Sequence, residues 1–174
     1  KWLEQRRRDK TLNVLLVVNP TGDLPAAEAE GKRIQELAKA YPSVSLKTVR
    51  QGAATKAALL RLFQSGDFDL VHYAGHAFFD PVSPSRSGLL CAGKQVLSGR
   101  ELAGLGNLPS LVFFNACEAG RIRKGVVKSK VAAVSVNMRE RVERSVGVAE
   151  AFLRGGVANY VGTYWPVGDE SASA

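Results

Sequence analysis

Leu111-Val112-Phe113-Phe114-Asn115-Ala116-Cys117-Glu118-Ala119-Gly120 is an apolar run that ends in a thiol followed by small residues. Bounded by Pro109 before it and Gly120 after it, the run reads as a strand covered on both faces, as in a parallel sheet. A side chain at the end of such a strand sits at the carboxyl edge of the sheet, where open α/β sheets place their ligand crevice. A matching stretch lies upstream, Phe68-Asp69-Leu70-Val71-His72-Tyr73-Ala74-Gly75-His76-Ala77. Two strand ends therefore offer one imidazole, His76, and one thiol, Cys117.

The rest of the chain supplies the sheet these strands need. Leu12 to Val18 is a β-branched apolar run stopped by Asn19-Pro20 and reads as a central first strand. Ile34, Leu37, Ala38 and Tyr41 recur at helical spacing, which predicts a helix from Leu24 to Tyr41 that ends before Pro42. Val44 to Val49 alternates as a strand, and Thr55 caps a predicted helix carrying Leu59, Leu60, Leu62 and Phe63 up to Gly66. This βαβαβ order predicts a doubly wound, mainly parallel sheet flanked by helices in a three-layer sandwich, with right-handed crossovers. Beyond His76, residues 78–86 hold Pro81 and Pro84 and read as an irregular loop. Gly88 to Cys91 and Gln95 to Leu97 form a predicted hairpin, and Ser98 with Glu101 makes a capping-box pattern before the Cys117 strand. After that strand, Val146 to Leu153 reads as a helix closed by Gly155-Gly156, and Val157 to Tyr164 as a further strand before Trp165-Pro166.

Composition bounds the class of protein. With 174 residues, 45% of them hydrophobic, the chain suits one domain with a substantial core. No apolar segment approaches the roughly 18 residues of a membrane helix, and no secretory signal pattern is present. Cys91 and Cys117 are the only cysteines, so no disulfide framework is expected. A soluble protein in a reducing, cytoplasmic setting follows, and no Cys/His cluster has zinc-site spacing. The chain starts at Lys1 and stops at Ala174, which reads as a domain excised from a longer protein. The net charge of +8 is concentrated between Arg121 and Arg144, where eight basic residues face two glutamates, and in the first ten residues. Residues 121–145 have weak periodicity and are expected to be a basic, mobile insertion. A nucleic-acid-binding role for that insertion is the third-ranked reading, since charge alone gives weak, salt-sensitive affinity.

The chemistry follows from pairing His76 with Cys117. A thiol is nucleophilic as thiolate, and a neighbouring imidazole can hold that form while serving as general acid and base. The 41-residue step between them, with a short helix on the way, is one that adjacent parallel strands allow. Gly75 offers a sharp backbone turn, Ala77, Ala116 and Ala119 leave room beside the pair, and backbone amides at Cys117 and after His76 can form an oxyanion hole. His72, in mid-strand, reads as packed or hydrogen-bonded rather than catalytic, and Cys91 as a small buried residue.

His-Tyr-Ala-Gly-His-Ala at 72–77 and Phe-Asn-Ala-Cys-Glu-Ala-Gly at 114–120 resemble the caspase-like clan of cysteine peptidases. The likeness is greatest to CHAT domains, bacterial relatives of separase and caspases often attached to tetratricopeptide repeats. Gly155 to Val167 resembles the strand that follows the catalytic Cys in those domains. The resemblance implies a caspase-like fold and a thiol endopeptidase acting through an acyl-enzyme, with no need of a metal or organic cofactor. It assigns His76 as base, Cys117 as nucleophile and the Ala77 and Cys117 amides as oxyanion donors. Gly75, Asn115, Glu118, Trp165 and Asp169 become candidates for lining the substrate pocket. Relatives that cut after Arg or Lys often carry an acid two residues before the Cys, where this chain has Asn115; Asp80, Asp169 or Glu170 are the other acids available. The 121–145 segment falls where caspases are cut between their parts, implying a processing loop. Protein substrates and regulatory repeat or sensor domains are the implied partners. The alternative is a non-catalytic caspase-like interaction module that carries the dyad without aligning it.

Overall fold

The computed structural model describes residues 11–78, 80, 86–117, 149–150, 152–154 and 156–162, with Cys117 described by its backbone. Most of the expected loop at 78–86, the basic segment 121–145 and everything after Gly162 lie outside these residues, as do Glu118, Trp165, Asp169 and Glu170.

Strand β1 (Leu12–Val18) is followed by helix α1 (Pro25–Lys39), β2 (Val44–Arg50), helix α2 (Lys56–Gln64) and β3 (Leu70–Phe78). A hairpin of β4 (Gly88–Leu90) and β5 (Val96–Ser98) precedes the short helix α3 (Gly99–Ala103), then β6 (Leu111–Cys117) and β7 (Asn159–Gly162). The five long-range strands pair in parallel in the order β2-β1-β3-β6-β7, and the hairpin joins antiparallel to the end of β3. The chain thus winds from β1 outward to β2, returns across β1 to β3, and continues in that direction to β6 and β7. The direction reverses between β1 and β3, so the crevice of this sheet opens at their carboxyl ends.

Local chemistry explains most boundaries. Thr55 accepts a hydrogen bond from the Ala58 amide at the start of α2, and Ser98 and Glu101 close a capping box on α3. Helix α1 ends two residues before the expected Tyr41, and Leu37 and Tyr41 are exposed (62% and 55%) rather than packed on the sheet.

Strand alternation gives the sheet two unlike faces. Leu15, Val17, Val71, Tyr73, Val112 and Phe114 join Leu59 and Phe63 of α2, and Phe152, in one core. Burial of each such side chain contributes about 1.5–3 kcal/mol, so this layer supplies most of the stability. The second face carries α1, which approaches so closely that a Cβ on Gly31 would lie 2.6 Å from Val18 Cγ2. The apolar contact there is small, with Leu24 and Ala27 against Ala74. Val14, Leu16 and Val18 of β1 are also buried on this face, and polar side chains, the candidate site among them, fill the rest.

Candidate active site

Parallel pairing of β3 with β6 sets His72 opposite Phe113, Ala74 opposite Asn115, and His76 opposite Cys117. In a parallel pair, opposed residues share a face, so His76 and Cys117 occupy one face at the carboxyl end of neighbouring strands. That is the juxtaposition expected from the two sequence motifs. Ala77 follows on β3, paired with Leu89 of β4.

His76 is buried (4% exposed), and its Nε2 lies 3.0 Å from Oδ1 of Asp23, in the loop between β1 and α1. The other ring nitrogen is unusual: among the described residues, His76 Nδ1 is the one buried side-chain nitrogen or oxygen without a hydrogen-bond partner. Buried polar atoms are nearly always satisfied, and exceptions mark strain, an unseen partner or a chemical role. Burial pushes the Asp23 carboxyl up, but the Thr21 hydroxyl and the His76 imidazole outweigh it, and the group titrates below its usual range.

One layer down the strands, His72 Nε2 lies 2.7 Å from Glu30 Oε1, and the Asn115 amide donates to Glu30 Oε2 at 2.9 Å. The His72 ring stacks on Phe113 with centroids 4.9 Å apart. Packing and hydrogen bonding were expected of His72; its carboxylate partner comes from α1 rather than from within the sheet. Asn115 is buried on the His76 face, with its amide turned to Glu30.

Gly75 serves differently from its expected part as a turn. It lies inside β3 on the opposite face, where a Cβ would come within 2.7 Å of the Tyr73 hydroxyl and 2.9 Å of Pro20 Cδ. The missing side chain lets the Tyr73 hydroxyl lie over the strand and meet the His76 and Leu90 carbonyls at 2.6 and 2.8 Å. A glycine thus fixes the His76 backbone without facing its imidazole. Cys91 is fully buried, and burial pushes its thiol up to about 11, outside the range of a reactive thiol.

Asp23 and Glu30 escaped the sequence reading. Asp23 falls where an acid usually caps a helix, which hid its contact with a strand 53 residues away. Glu30 looks like any acid in an amphipathic helix. Among the described residues no group of three or more His, Cys, Asp or Glu could hold a metal, and no helix is long and apolar enough to cross a membrane.

A doubly wound parallel sheet with helices on both faces, and a His and a Cys at adjacent strand ends, defines a caspase-like α/β domain. The family model for the CHAT domain matches residues 3–174, and the chain belongs to this family, within the caspase-like peptidase clan. No curated protein and no solved structure matches the chain.

Proposed function

We propose that this chain is a cysteine endopeptidase that cleaves protein substrates with Cys117 as nucleophile and His76 as general base. The observation that supports it best is the register that sets His76 opposite Cys117, together with the unpartnered, buried Nδ1 of that histidine. The imidazole takes the thiol proton, and the thiolate attacks the scissile carbonyl. The Ala77 and Cys117 amides are the donors for the resulting oxyanion. The imidazolium then protonates the departing amine, leaving a thioester on Cys117. Water attacks this acyl-enzyme while the imidazole accepts its proton, releasing the acid and restoring the thiol. Gly75 contributes through the backbone at His76; Glu118, Trp165 and Asp169 remain the pocket residues in this reading, while Asn115, turned to Glu30, belongs to the brace beneath the site. A reducing cytoplasmic compartment keeps the thiol competent, and neighbouring repeat or sensor domains regulate it.

The test is cleavage of an unbiased, proteome-derived peptide library by wild type and Cys117→Ala, both shown to be folded and both also assayed in the longer protein that carries the domain. Cuts made only by wild type are expected, and they also give the side-chain preference. Folded wild type that cuts in neither setting overturns the peptidase and favours the interaction module.

A further inference from the structure

Resting on that peptidase reading but concerning a residue outside the dyad, we propose that Asp23 is the positioning residue of the site. Its carboxylate holds His76 in the Nε2-protonated tautomer and so leaves Nδ1 as the nitrogen that exchanges a proton with Cys117.

Elementary hydrogen-bond chemistry leads there. A neutral imidazole has one N–H and one lone pair, while an ionised carboxylate can only accept. With Asp23 Oδ1 at 3.0 Å, the ring proton belongs on Nε2. The lone pair is then on Nδ1, the buried atom with no partner. When Nδ1 takes the thiol proton, the S–H bond breaks and an N–H bond forms. The resulting imidazolium keeps its Nε2–H on an aspartate that remains ionised throughout.

The loop that carries Asp23 is built to hold it there. Asn19, only 2% exposed, adopts a left-handed φ of 45°, which asparagine tolerates better than most residues. Its amide N–H donates to the Ala74 carbonyl at 2.7 Å, tying the loop to β3 two residues before His76. Its side-chain oxygen accepts from the Leu24 amide at 3.1 Å, and its side-chain NH2 donates to Glu28 Oε1 at 3.3 Å. Glu28 is in turn held by Arg50 of β2 at 3.2 Å. Since Asn19 takes the Leu24 amide, Asp23 is not needed there, and Thr21 donates to the same Asp23 oxygen that meets the ring. The other charged groups near this face are engaged elsewhere: Glu28 with Arg50, Glu30 with His72 and Asn115, and Asp80, beyond the end of β3, with Arg86.

The test follows iodoacetamide alkylation of Cys117 by mass spectrometry across pH, using the whole chain as wild type, Asp23→Asn, Asp23→Glu and His76→Ala. Cys91 stays silent at every pH used because of its burial. In wild type, alkylation is expected to continue well below the ordinary thiol midpoint of about 8.5, and His76→Ala should return it to that value. Asp23→Asn should slow alkylation at pH 6 by about tenfold, with Asp23→Glu recovering most of it. Nitrogen-15 spectra of the imidazole should report Nε2–H in wild type and a mixture of tautomers in Asp23→Asn. An Asp23→Asn profile that matches wild type, while His76→Ala shifts it, overturns this inference and leaves the peptidase standing. A profile indifferent to His76→Ala overturns both. Slowing by the same factor at all pH values, with the tautomer unchanged, assigns Asp23 a merely structural part and also overturns the inference.

Discussion

His72 and His76 lie four residues apart on one strand, share one face and each meet a carboxylate from the α1 side, but the two contacts are closed to different degrees. At His72 both partners are largely buried, with side chains 12% and 16% exposed, and the second oxygen of Glu30 is taken by Asn115. The ring face is occupied by Phe113. At His76 the ring is buried, yet its partner Asp23 is 63% exposed and Nδ1 is left without a partner. A fully satisfied buried network fixes geometry, and a partly satisfied one keeps a lone pair available at a cost in stability. The lower contact is closed on every side, and the upper ring keeps one nitrogen without a partner, as the proposed proton transfer needs.

The largest expected effect breaks this comparison if it falls on the wrong histidine. His76→Ala and Cys117→Ala should each reduce cleavage of library peptides by about a thousandfold or more, since members of a catalytic unit fail together. Both should melt within a few degrees of wild type. His72→Ala, once folded, should retain cleavage. The opposite pattern would make His72 the chemical group and His76 the brace. The next effect is on stability: Glu30→Ala strands the His72 imidazole and the Asn115 amide in a buried site. Each unmade bond costs about 1–3 kcal/mol, so urea unfolding should show a loss of about 2–6 kcal/mol. Activity per folded molecule should survive.

How far the chain could be read without coordinates follows the same division. The sheet was legible because Leu12–Val18 and Leu111–Cys117 are apolar runs of strand length between clear breakers, and the Ser98–Glu101 box announces its own helix. The pairing of His76 with Cys117 was legible because both close such runs. Asp23 and Glu30 were not, because their partners are distant in the chain and their local context already explains an acid. Gly75 was assigned to a turn because glycine is commonest there, whereas its use depends on where the Tyr73 hydroxyl lies, a tertiary fact.

The back of the same strand sharpens the contrast further. Gly75→Ala places a Cβ 2.7 Å from the Tyr73 hydroxyl, which must leave the His76 carbonyl or push the strand aside. Overpacking of this kind costs about 1–3 kcal/mol. The loss in thermal stability should come with a fall in cleavage, since the His76 backbone moves, while the His72 layer stays intact. A variant that loses stability but keeps full activity would separate the Tyr73 anchor from the site.

The smallest effect is the most discriminating, because it asks whether the contact at Asp23 serves stability at all. Exposed ion pairs contribute about 0–1 kcal/mol, and with Asp23 63% exposed the lower part of that range applies. Asp23→Asn should therefore change the urea midpoint at pH 7 only slightly, in contrast to Glu30→Ala. Asp23 titrates below its usual value in the folded protein, with burial opposing the shift and Thr21 and His76 driving it. A depressed carboxyl stabilises the fold above its unfolded pKa of about 3.9 and loses that contribution as pH falls through the folded value. The small difference between wild type and Asp23→Asn should thus hold constant from pH 6 down to about 4 and vanish below it. A difference as large as that of Glu30→Ala would make both carboxylates braces; a negligible one, beside a clear loss of thiol reactivity, would place the cost of Asp23→Asn in the chemistry of the site.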